Sequence, residues 1–417
     1  MCARPTRREY LVAAALGVAG CSGGSPAETT ADVASTDTPA NTQIATETGT
    51  DTETEPDTDA PIDADDIDGW GMFGADSANT GTAPDETGPT DAVSELWVAG
   101  VSEPSAPVVA DGTVYVKDTG GNALSALDAA DGTERWQVPA VGSDGDPPAV
   151  VDGTVYAPQL YERGDSFFGA LDAADGTEEW RFTTEAGMSS PPVVDGNTVY
   201  VGSNGDRVYA LDATAGTERW QFPVDGGVSA SPAVADGTVY VGTLAGSVYA
   251  IEASTGTEQW QATTERGIVA APTVVGDTVY LGTGGYDDET GAVVALSASD
   301  GTERWRVAYE ANVYSSPAVA DGTVYVGCND TNLYALDAAD GAKQWRVATD
   351  NWVTTAPAVV DGTVYFGGGD VVYAVATGTG DLQWKFDTGD IADSSPAVVD
   401  GVAYFGSWSG QVYAMTE

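Results

Sequence analysis

The chain has 417 residues, of which 64 are Asp or Glu and only 15 are Lys or Arg, so its formal net charge is −49. This charge disfavours nucleic acid as a partner, because binding to phosphate groups requires basic patches. Three cysteines, two of them near the N-terminus, provide no disulfide framework, and the chain has no histidine.

The acidic excess is larger than solubility alone explains. In dilute salt the like charges would repel one another and oppose folding, whereas salt at about 1 M shortens the Debye length to about 3 Å. The composition therefore resembles that of proteins from extreme halophiles, and we expect the protein to work in concentrated salt.

The N-terminus, residues 1–21, resembles an export signal. Arg7 and Arg8, followed by a short apolar run, are similar to a twin-arginine signal, which carries folded proteins across a membrane. The run is shorter than the roughly 20 residues that a spanning helix needs. Its end, Val18 to Cys21, resembles a lipobox, which predicts lipidation of Cys21. A plain signal peptide with an incidental cysteine is the alternative.

Residues 22–68 consist mainly of Thr, Asp, Glu, Ala, Pro and Ser, without Lys or Arg. Such a segment cannot bury enough apolar surface to offset the entropy lost on ordering. We therefore predict a disordered acidic stalk here, which connects the lipid anchor to a folded domain of residues 69–417.

The folded domain contains eight copies of one repeat, marked by a proline that is followed eight residues later by a tyrosine. A period near 40 residues is typical of propellers. Within each copy, Asp-Gly and similar pairs separate short apolar runs, which predicts hairpins and four strands in each copy. The prolines are Pro107, Pro148, Pro192, Pro232, Pro272, Pro317, Pro357 and Pro396.

Seven stretches, the first at Ala126 to Trp136, match the pattern A-x-D-x-x-x-G-x-x-x-W, although Glu252, Ser297 and Ala376 replace its aspartate in three of them. This pattern resembles the docking motif of the quinoprotein-type, or PQQ-like, propellers, in which the indole packs between neighbouring blades. The resemblance implies an all-β, eight-bladed β-propeller of four-stranded antiparallel blades. Its docking residues would be Trp97, Trp136, Trp180, Trp220, Trp260, Trp305, Trp345 and Trp384.

The ends of the repeat array predict how the ring closes. The last copy stops after its third strand, while Trp97 stands alone before the first copy. We expect Glu95 to Ala99 to supply the missing outer strand, because closure removes exposed sheet edges. The preceding segment, Gly69 to Gly81, resembles the entry segment of this family and is expected to lie across the ring, with Trp70 and Phe73 as anchors.

Variation among the copies is confined to one predicted face, where two loops, Pro158–Phe168 and Gly284–Gly291, are lengthened. Loops that differ on a repeating scaffold are the better carriers of specificity. For Trp352 and Trp408, ordinary packing near the channel is the alternative to lining a binding site. The candidate binding residues are Tyr161, Arg163, Met188, Arg266, Tyr286, Tyr314, Trp352 and Trp408.

Three further features of this face have more than one interpretation. Asp287, Asp288 and Glu289 are weak candidates for holding Ca²⁺, with solvated surface as the alternative. Cys328 is expected to be a small buried hydrophobe, because the chain has no histidine that would activate it. Asn329 fits the N-glycosylation pattern, and its modification stays open.

The family resemblance implies two possible functions. Its dehydrogenases bind PQQ over the channel with Ca²⁺, but this chain has no adjacent-cysteine pair and no C-x-x-C-H haem motif. Its non-catalytic branch includes the lipoprotein of the machinery that assembles outer-membrane β-barrels. We therefore expect a monomeric, non-catalytic propeller without a cofactor, lipid-anchored to the outer side of the cytoplasmic membrane. It would bind a protein, peptide or glycan on its variable face. A PQQ- and Ca²⁺-dependent alcohol or sugar dehydrogenase is the alternative.

Overall fold

A computed structural model describes residues 69–140, 146–162, 165–184, 186–188, 190–285 and 290–417. The predicted export signal of residues 1–21, with Arg7, Arg8 and Cys21, and the predicted stalk of residues 22–68 lie outside these ranges. Outside them too are the candidate residues Arg163, Tyr286, Asp287, Asp288 and Glu289. Within the described ranges, no helix is long and apolar enough to cross a membrane.

The regular structure of the described residues consists of β-strands. The first sixteen are β1 (Ser94–Gly100), β2 (Val108–Ala110), β3 (Thr113–Asp118), β4 (Ala123–Asp128), β5 (Glu134–Pro139), β6 (Ala149–Val151), β7 (Thr154–Glu162), β8 (Asp165–Asp172), β9 (Glu178–Phe182), β10 (Val193–Asp195), β11 (Thr198–Ser203), β12 (Arg207–Asp212), β13 (Glu218–Pro223), β14 (Ala233–Ala235), β15 (Thr238–Gly242) and β16 (Ser247–Glu252). The others are β17 (Glu258–Thr263), β18 (Thr273–Val275), β19 (Thr278–Thr283), β20 (Gly291–Ser297), β21 (Glu303–Tyr309), β22 (Ala318–Ala320), β23 (Thr323–Cys328), β24 (Asn332–Asp337), β25 (Lys343–Ala348), β26 (Ala358–Val360), β27 (Thr363–Gly368), β28 (Val371–Ala376), β29 (Leu382–Asp387), β30 (Ala397–Val399), β31 (Val402–Ser407) and β32 (Gln411–Thr416).

The strands form eight separate four-stranded antiparallel sheets, which we call blades. Blades 1 to 7 each use four consecutive strands, from β2–β5 to β26–β29. Blade 8 has the order β30-β31-β32-β1, so its outermost strand comes from the N-terminal side. In this strand Trp97 lies opposite Ala414 of β32. The structure confirms an all-β, eight-bladed propeller of four-stranded antiparallel blades.

The first strand of each blade lines a central channel. Each of these strands contacts the first strands of both neighbouring blades, and β2 of blade 1 contacts β30 of blade 8, which completes the ring. The second and third strands lie between neighbouring blades and are almost wholly buried, as in β15 and β16, whereas the outermost strand β17 alternates between exposed and buried residues. The core therefore consists of the interfaces between blades.

One tryptophan and one tyrosine join each blade to the next. In blade 3, Trp220 Nε1 donates to the carbonyl of Ala253 in blade 4 at 2.8 Å, and the Tyr200 hydroxyl donates to the same oxygen at 3.4 Å. The indole covers Gly256, where a Cβ would lie 2.8 Å from the ring. The same indole bond joins Trp97 to Ala129, Trp136 to Ala173, Trp180 to Ala213, Trp260 to Ala298, Trp305 to Ala338, Trp345 to Thr377 and Trp384 to Pro89.

The joint between blades 7 and 8 uses a different acceptor. Blade 8 has no turn between its third and fourth strands, because its fourth strand is β1. The carbonyl of Pro89, just before β1, replaces that turn and accepts from Trp384 Nε1 at 2.7 Å and from the Tyr365 hydroxyl at 3.0 Å. The next residue, Thr90, donates its N–H to the carboxylate of the last residue, Glu417, at 2.6 Å. This bond lowers the pKa of Glu417.

Residues 69–83, which we call the channel segment, run through the centre of the ring. The segment begins with an antiparallel bridge from Trp70 to Val109 of β2 and ends with a parallel bridge from Thr82 to Val359 of β26. It therefore lies against the innermost strands, inside the channel that the sequence predicted it to cross.

Candidate functional site

The two faces of the ring differ in how much the blades vary. One face, which we call the turn face, carries the hairpins that join the first and second strands. In blade 4 the hairpin residues Asp236 and Gly237 have φ values of 48° and 74°. Two consecutive positive φ values are typical of the type I′ turn, which favours Asp-Gly. The same geometry recurs in blades 1, 2, 6, 7 and 8, so this face is nearly uniform.

The opposite face, which we call the loop face, consists of the loops between second and third strands and the connections between blades. Backbone bonds join these segments across blade boundaries. The N–H of Ala392, in the connection from blade 7 to blade 8, donates to the carbonyl of Gly369 at 2.7 Å, and the N–H of Trp408 donates to the carbonyl of Ile391 at 2.9 Å. The loops of blades 7 and 8 thus form a continuous surface.

Two tryptophans lie half-buried on the loop face. Trp352 belongs to the connection from blade 6 to blade 7, and Trp408 belongs to the loop between β31 and β32 in blade 8. The loop of Trp352 is ordered by a hydrogen bond in which the backbone N–H of Trp352 donates to the side-chain oxygen of Asn351 at 2.9 Å. The docking residue Trp220, in contrast, is only 8% exposed. Trp352 and Trp408 therefore offer aromatic surface that a ligand can contact.

Two other candidate residues contribute to packing within the loops. Met188 is buried at 4% exposure and packs with Trp180, so it presents little surface to a ligand. Tyr314 is half-buried, and its hydroxyl donates to the carbonyl of Gly285 at 3.1 Å while accepting from Asn312 Nδ2 at 2.8 Å. Tyr314 thereby links a loop of blade 5 to the connection that follows that blade.

Arg266 lies half-buried in the connection from blade 4 to blade 5. Its carbonyl accepts from the hydroxyl of Thr264 at 2.6 Å. This bond orders the backbone of the connection and places a cationic residue on a face that is otherwise rich in carboxylates.

The long loop predicted at Pro158–Phe168 is largely a hairpin. Strand β7 continues to Glu162 and β8 begins at Asp165, with a bulge after Ala157, and Tyr161 pairs with Ser166. Aromatic residues on both sides of the turn favour extended strands here. The candidate Tyr161 therefore lies on a strand that extends the blade towards the loop face.

Cys328 ends β23 and is 1% exposed. Burial raises the pKa of its thiol to about 12, and the sulfur lies 3.6 Å from the carbonyl oxygen of Asn312. Since the thiolate is the reactive form of cysteine, this residue is inert as a nucleophile. It occupies the place of a small buried hydrophobe, as expected from the sequence.

The channel opens on the loop face in a small recess. Trp70 and Phe73 of the channel segment line it together with prolines at the start of inner strands, including Pro107, Pro357 and Pro396. The free volume within it is only about 10 Å³. This is far below the range of about 300 to 1,000 Å³ that is common for ligand pockets.

The recess lacks the groups that PQQ and Ca²⁺ would need. PQQ is polyanionic and requires cationic or N–H donors, but the described lining is apolar except for the hydroxyl of Ser395, which accepts from the N–H of Ala356 at 2.9 Å. Among the described residues, no group of three or more acidic, cysteine or histidine side chains is placed to hold a metal. These lining residues therefore do not fit the cofactor.

Sequence reasoning missed a buried lysine near this face. Lys117 of β3 is 3% exposed and occupies the position that Gly242 holds in blade 4, where the glycine packs against Ile268 of the following connection. Asp146, in the connection after blade 1, is also buried. A comparison of the repeat copies position by position would have revealed the lysine.

Comparison with known proteins identifies the family. A family model described as outer membrane protein assembly factor BamB matches residues 83–184, 164–289 and 289–416. The chain belongs to this family. The BamB family matches begin at the end of the channel segment and extend to the last strand of the ring. A comparison with curated proteins gives no significant match.

Solved structures share the fold with this member of the BamB family. A computationally designed protein, Ika8, is 16% identical with a TM-score of 0.66, and the match covers 78% of this chain and 99% of that one. BamB from Moraxella catarrhalis is 19% identical with a TM-score of 0.61, covering 78% and 98%. Quinohemoprotein alcohol dehydrogenase from Comamonas testosteroni is 15% identical with a TM-score of 0.67, covering 83% and 80%. At these identities the likeness concerns the fold alone.

Proposed function

We propose that the protein is an exported, lipid-anchored, non-catalytic β-propeller that binds a partner on its loop face at the cell surface of a halophile. The observation that carries this proposal is the contrast between the two faces. The blades repeat the same tight turns on one face, whereas the loops differ on the other. A scaffold that varies in one place only is suited to recognition there.

The partner is a protein, peptide or glycan. Trp352 and Trp408 support this, because tryptophan is enriched among the residues that dominate binding interfaces. The family description, an assembly factor, also supports a role in binding protein rather than in catalysis. We propose that the protein acts as a monomer without a cofactor, and that its net charge of −49 keeps nucleic acids away.

The first test removes the two half-buried tryptophan side chains of the loop face. In molar salt, the variant carrying Trp352→Ala and Trp408→Ala is expected to bind its partner at least about 30-fold more weakly, since a tryptophan at the centre of an interface contributes about 2 kcal/mol or more. The partner is first captured from a membrane extract with the native protein and identified, and its affinity for both forms is then measured with purified components.

A matched control removes apolar side chains from the turn face. Leu382 and Val275 are 54% and 38% exposed, so Leu382→Ala with Val275→Ala should leave the affinity unchanged. Equal weakening by both pairs would refute binding on the loop face. Oxidation of an alcohol or sugar on addition of PQQ and Ca²⁺ in high salt would refute the non-catalytic role and support the dehydrogenase alternative.

The second test concerns the anchor. Replacement of Cys21 by alanine removes the thiol that would carry the lipid, and we expect the exported protein to move from the membrane fraction to the soluble fraction. A single acyl chain contributes about 0.8 kcal/mol for each buried methylene, so its loss should release most of the protein. Fractionation of cells that express either form measures the change. An unchanged membrane fraction would contradict the anchor at Cys21.

A further inference from the structure

The channel segment bonds to the ring through a regular series of backbone groups. The N–H of the middle residue in the first strand of six blades donates to a carbonyl of the segment, and the corresponding Val194 in blade 3 donates to the sulfur of Met72 at 3.4 Å. The six bonds run from Val109 to Trp70 at 3.0 Å, Val150 to Gly71 at 2.6 Å, Val234 to Ser77 at 2.6 Å, Val274 to Ala78 at 2.9 Å, Val319 to Thr80 at 2.9 Å and Val359 to Gly81 at 2.8 Å.

These contacts follow the order of the blades from 1 to 7. The innermost strand of a blade has a free edge, and its N–H groups would lie unpaired in the channel without a partner. A buried N–H without an acceptor costs about 1 to 3 kcal/mol. The ring therefore presents a circle of donors that a peptide backbone can satisfy, as in peptide recognition by strand edges.

Side chains add a second set of contacts at the centre of the segment. Asn79 is 2% exposed, and its Nδ2 donates to the carbonyls of Pro232 at 2.7 Å and Pro272 at 3.1 Å. In return, the hydroxyl of Thr273 donates to the Asn79 carbonyl at 3.0 Å. One asparagine thus bridges blades 4 and 5 in the way a bound ligand would.

The channel leaves no room for a side chain at two glycine positions of the segment. A Cβ on Gly71 would lie 2.5 Å from the carbonyl oxygen of Val150, and a Cβ on Gly81 would lie 2.7 Å from the Cβ of Ala318. Both obstacles belong to the ring rather than to the segment. The fit between the ring and a glycine-rich backbone is therefore steric as well as polar.

We propose that the channel is a peptide-binding site, and that the chain fills this site with its own residues 69–83 as a ligand in cis. The class of ligand is a glycine-rich peptide that offers backbone carbonyls to the ring and one amide side chain to blades 4 and 5. The covalent link to the ring is not needed for binding. This site is formed by the innermost strands rather than by Trp352 and Trp408, and its test is independent of the partner proposed on the loop face.

The covalent link between the channel segment and the ring can be cut without changing the contacts between them. Pro84 and Asp85 form an exposed turn directly after the channel segment. Beyond this turn the chain is held to blade 8, where the N–H of Gly401 donates to the carbonyl of Thr87 at 3.0 Å. A specific protease site inserted between Pro84 and Asp85 of the full chain, and cleaved after folding in molar salt, leaves the channel segment held by the channel alone.

The expected result is that the two fragments elute together in size-exclusion chromatography, and that an excess of a synthetic peptide of residues 69–83 displaces the N-terminal fragment. The labelled peptide should enter the cleaved protein but not the intact one. Separation of the fragments without competitor, or unfolding of the ring on cleavage, would overturn the proposal.

Peptide variants test the steric fit. A peptide with Gly71→Val should bind at least about tenfold more weakly, a loss of about 1.4 kcal/mol, because its side chain meets the Val150 carbonyl. A peptide with Gly69→Val is the matched control, since a Cβ on Gly69 meets no atom within 4 Å, and it should bind as the native peptide does. Equal affinity of the two variants would contradict a peptide site with the contacts described.

Discussion

Replacement of Trp220 by alanine is expected to lower the free energy of unfolding by about 3 to 5 kcal/mol, as is usual for loss of a buried tryptophan. The side chain is 8% exposed, its ring centroid lies 5.9 Å from that of Tyr200, and its Nε1 donates to the carbonyl of Ala253 at 2.8 Å. The variant loses the ring and leaves a cavity over Gly256. Denaturant unfolding in molar salt measures the change.

Two controls separate packing from the hydrogen bond. Trp220→Phe keeps an aromatic ring but removes the indole donor, so its cost should be smaller than that of alanine. Leu382→Ala, at a site that is 54% exposed, should change stability by less than about 0.5 kcal/mol. A loss below about 1 kcal/mol for Trp220→Ala would contradict a joint that depends on this residue.

Transfer from about 1 M to 0.1 M salt is expected to unfold the propeller, which is the second large effect. Lower salt lengthens the Debye length from about 3 Å to about 10 Å. Two like charges about 10 Å apart in water repel by about 0.4 kcal/mol before screening. Residues 69–417 contain 50 of the 64 acidic residues and 12 of the 15 basic ones, a net charge of −38. Summed over these charges, the repulsion reaches the size of a typical domain stability, about 5 to 15 kcal/mol. Circular dichroism and tryptophan fluorescence across a salt series measure the transition.

The turn face offers a matched variant for this experiment. Asp111, Asp236, Asp321 and Asp361 are exposed and have φ values between 46° and 48°. Asparagine also tolerates this left-handed conformation, so replacement of all four by Asn removes charge while the turns are kept. The variant should unfold at a lower salt concentration than the native protein. A transition that is independent of salt, or unchanged in the variant, would contradict stabilisation by screening.

The repeat pattern predicted the number of blades and strands because particular side chains mark the hairpins and the junctions between blades. Asp-Gly pairs such as Asp236-Gly237 mark the hairpins, and residues such as Trp220 mark the junctions. The acceptors of those junctions could not be predicted in the same way, since a backbone carbonyl has no sequence signature. Pro89 is the clearest case, because it lies outside every repeat copy and still completes the ring.

The candidate site was predictable only in outline. The departures from the repeat located the loops, but burial then distinguished residues that looked alike in sequence. Met188 is packed inside, Tyr314 has its hydroxyl bonded to neighbouring loops, and Trp352 keeps exposed surface. The path of the channel segment was harder to predict, because its contacts are mostly backbone hydrogen bonds, which leave no hydrophobic period in the sequence.

The contacts of the channel segment also correspond to the number of blades in the ring. Every junction between blades uses nearly the same tryptophan and carbonyl, so no single junction specifies how many blades there are. The segment matches a ring of this size, since its successive acceptors meet blades 1 to 7 in order before the chain reaches Pro89 at blade 8. In a ring with one blade fewer, one acceptor would face no donor. The length of the segment and the spacing of its acceptors therefore fit the circumference of an eight-bladed ring.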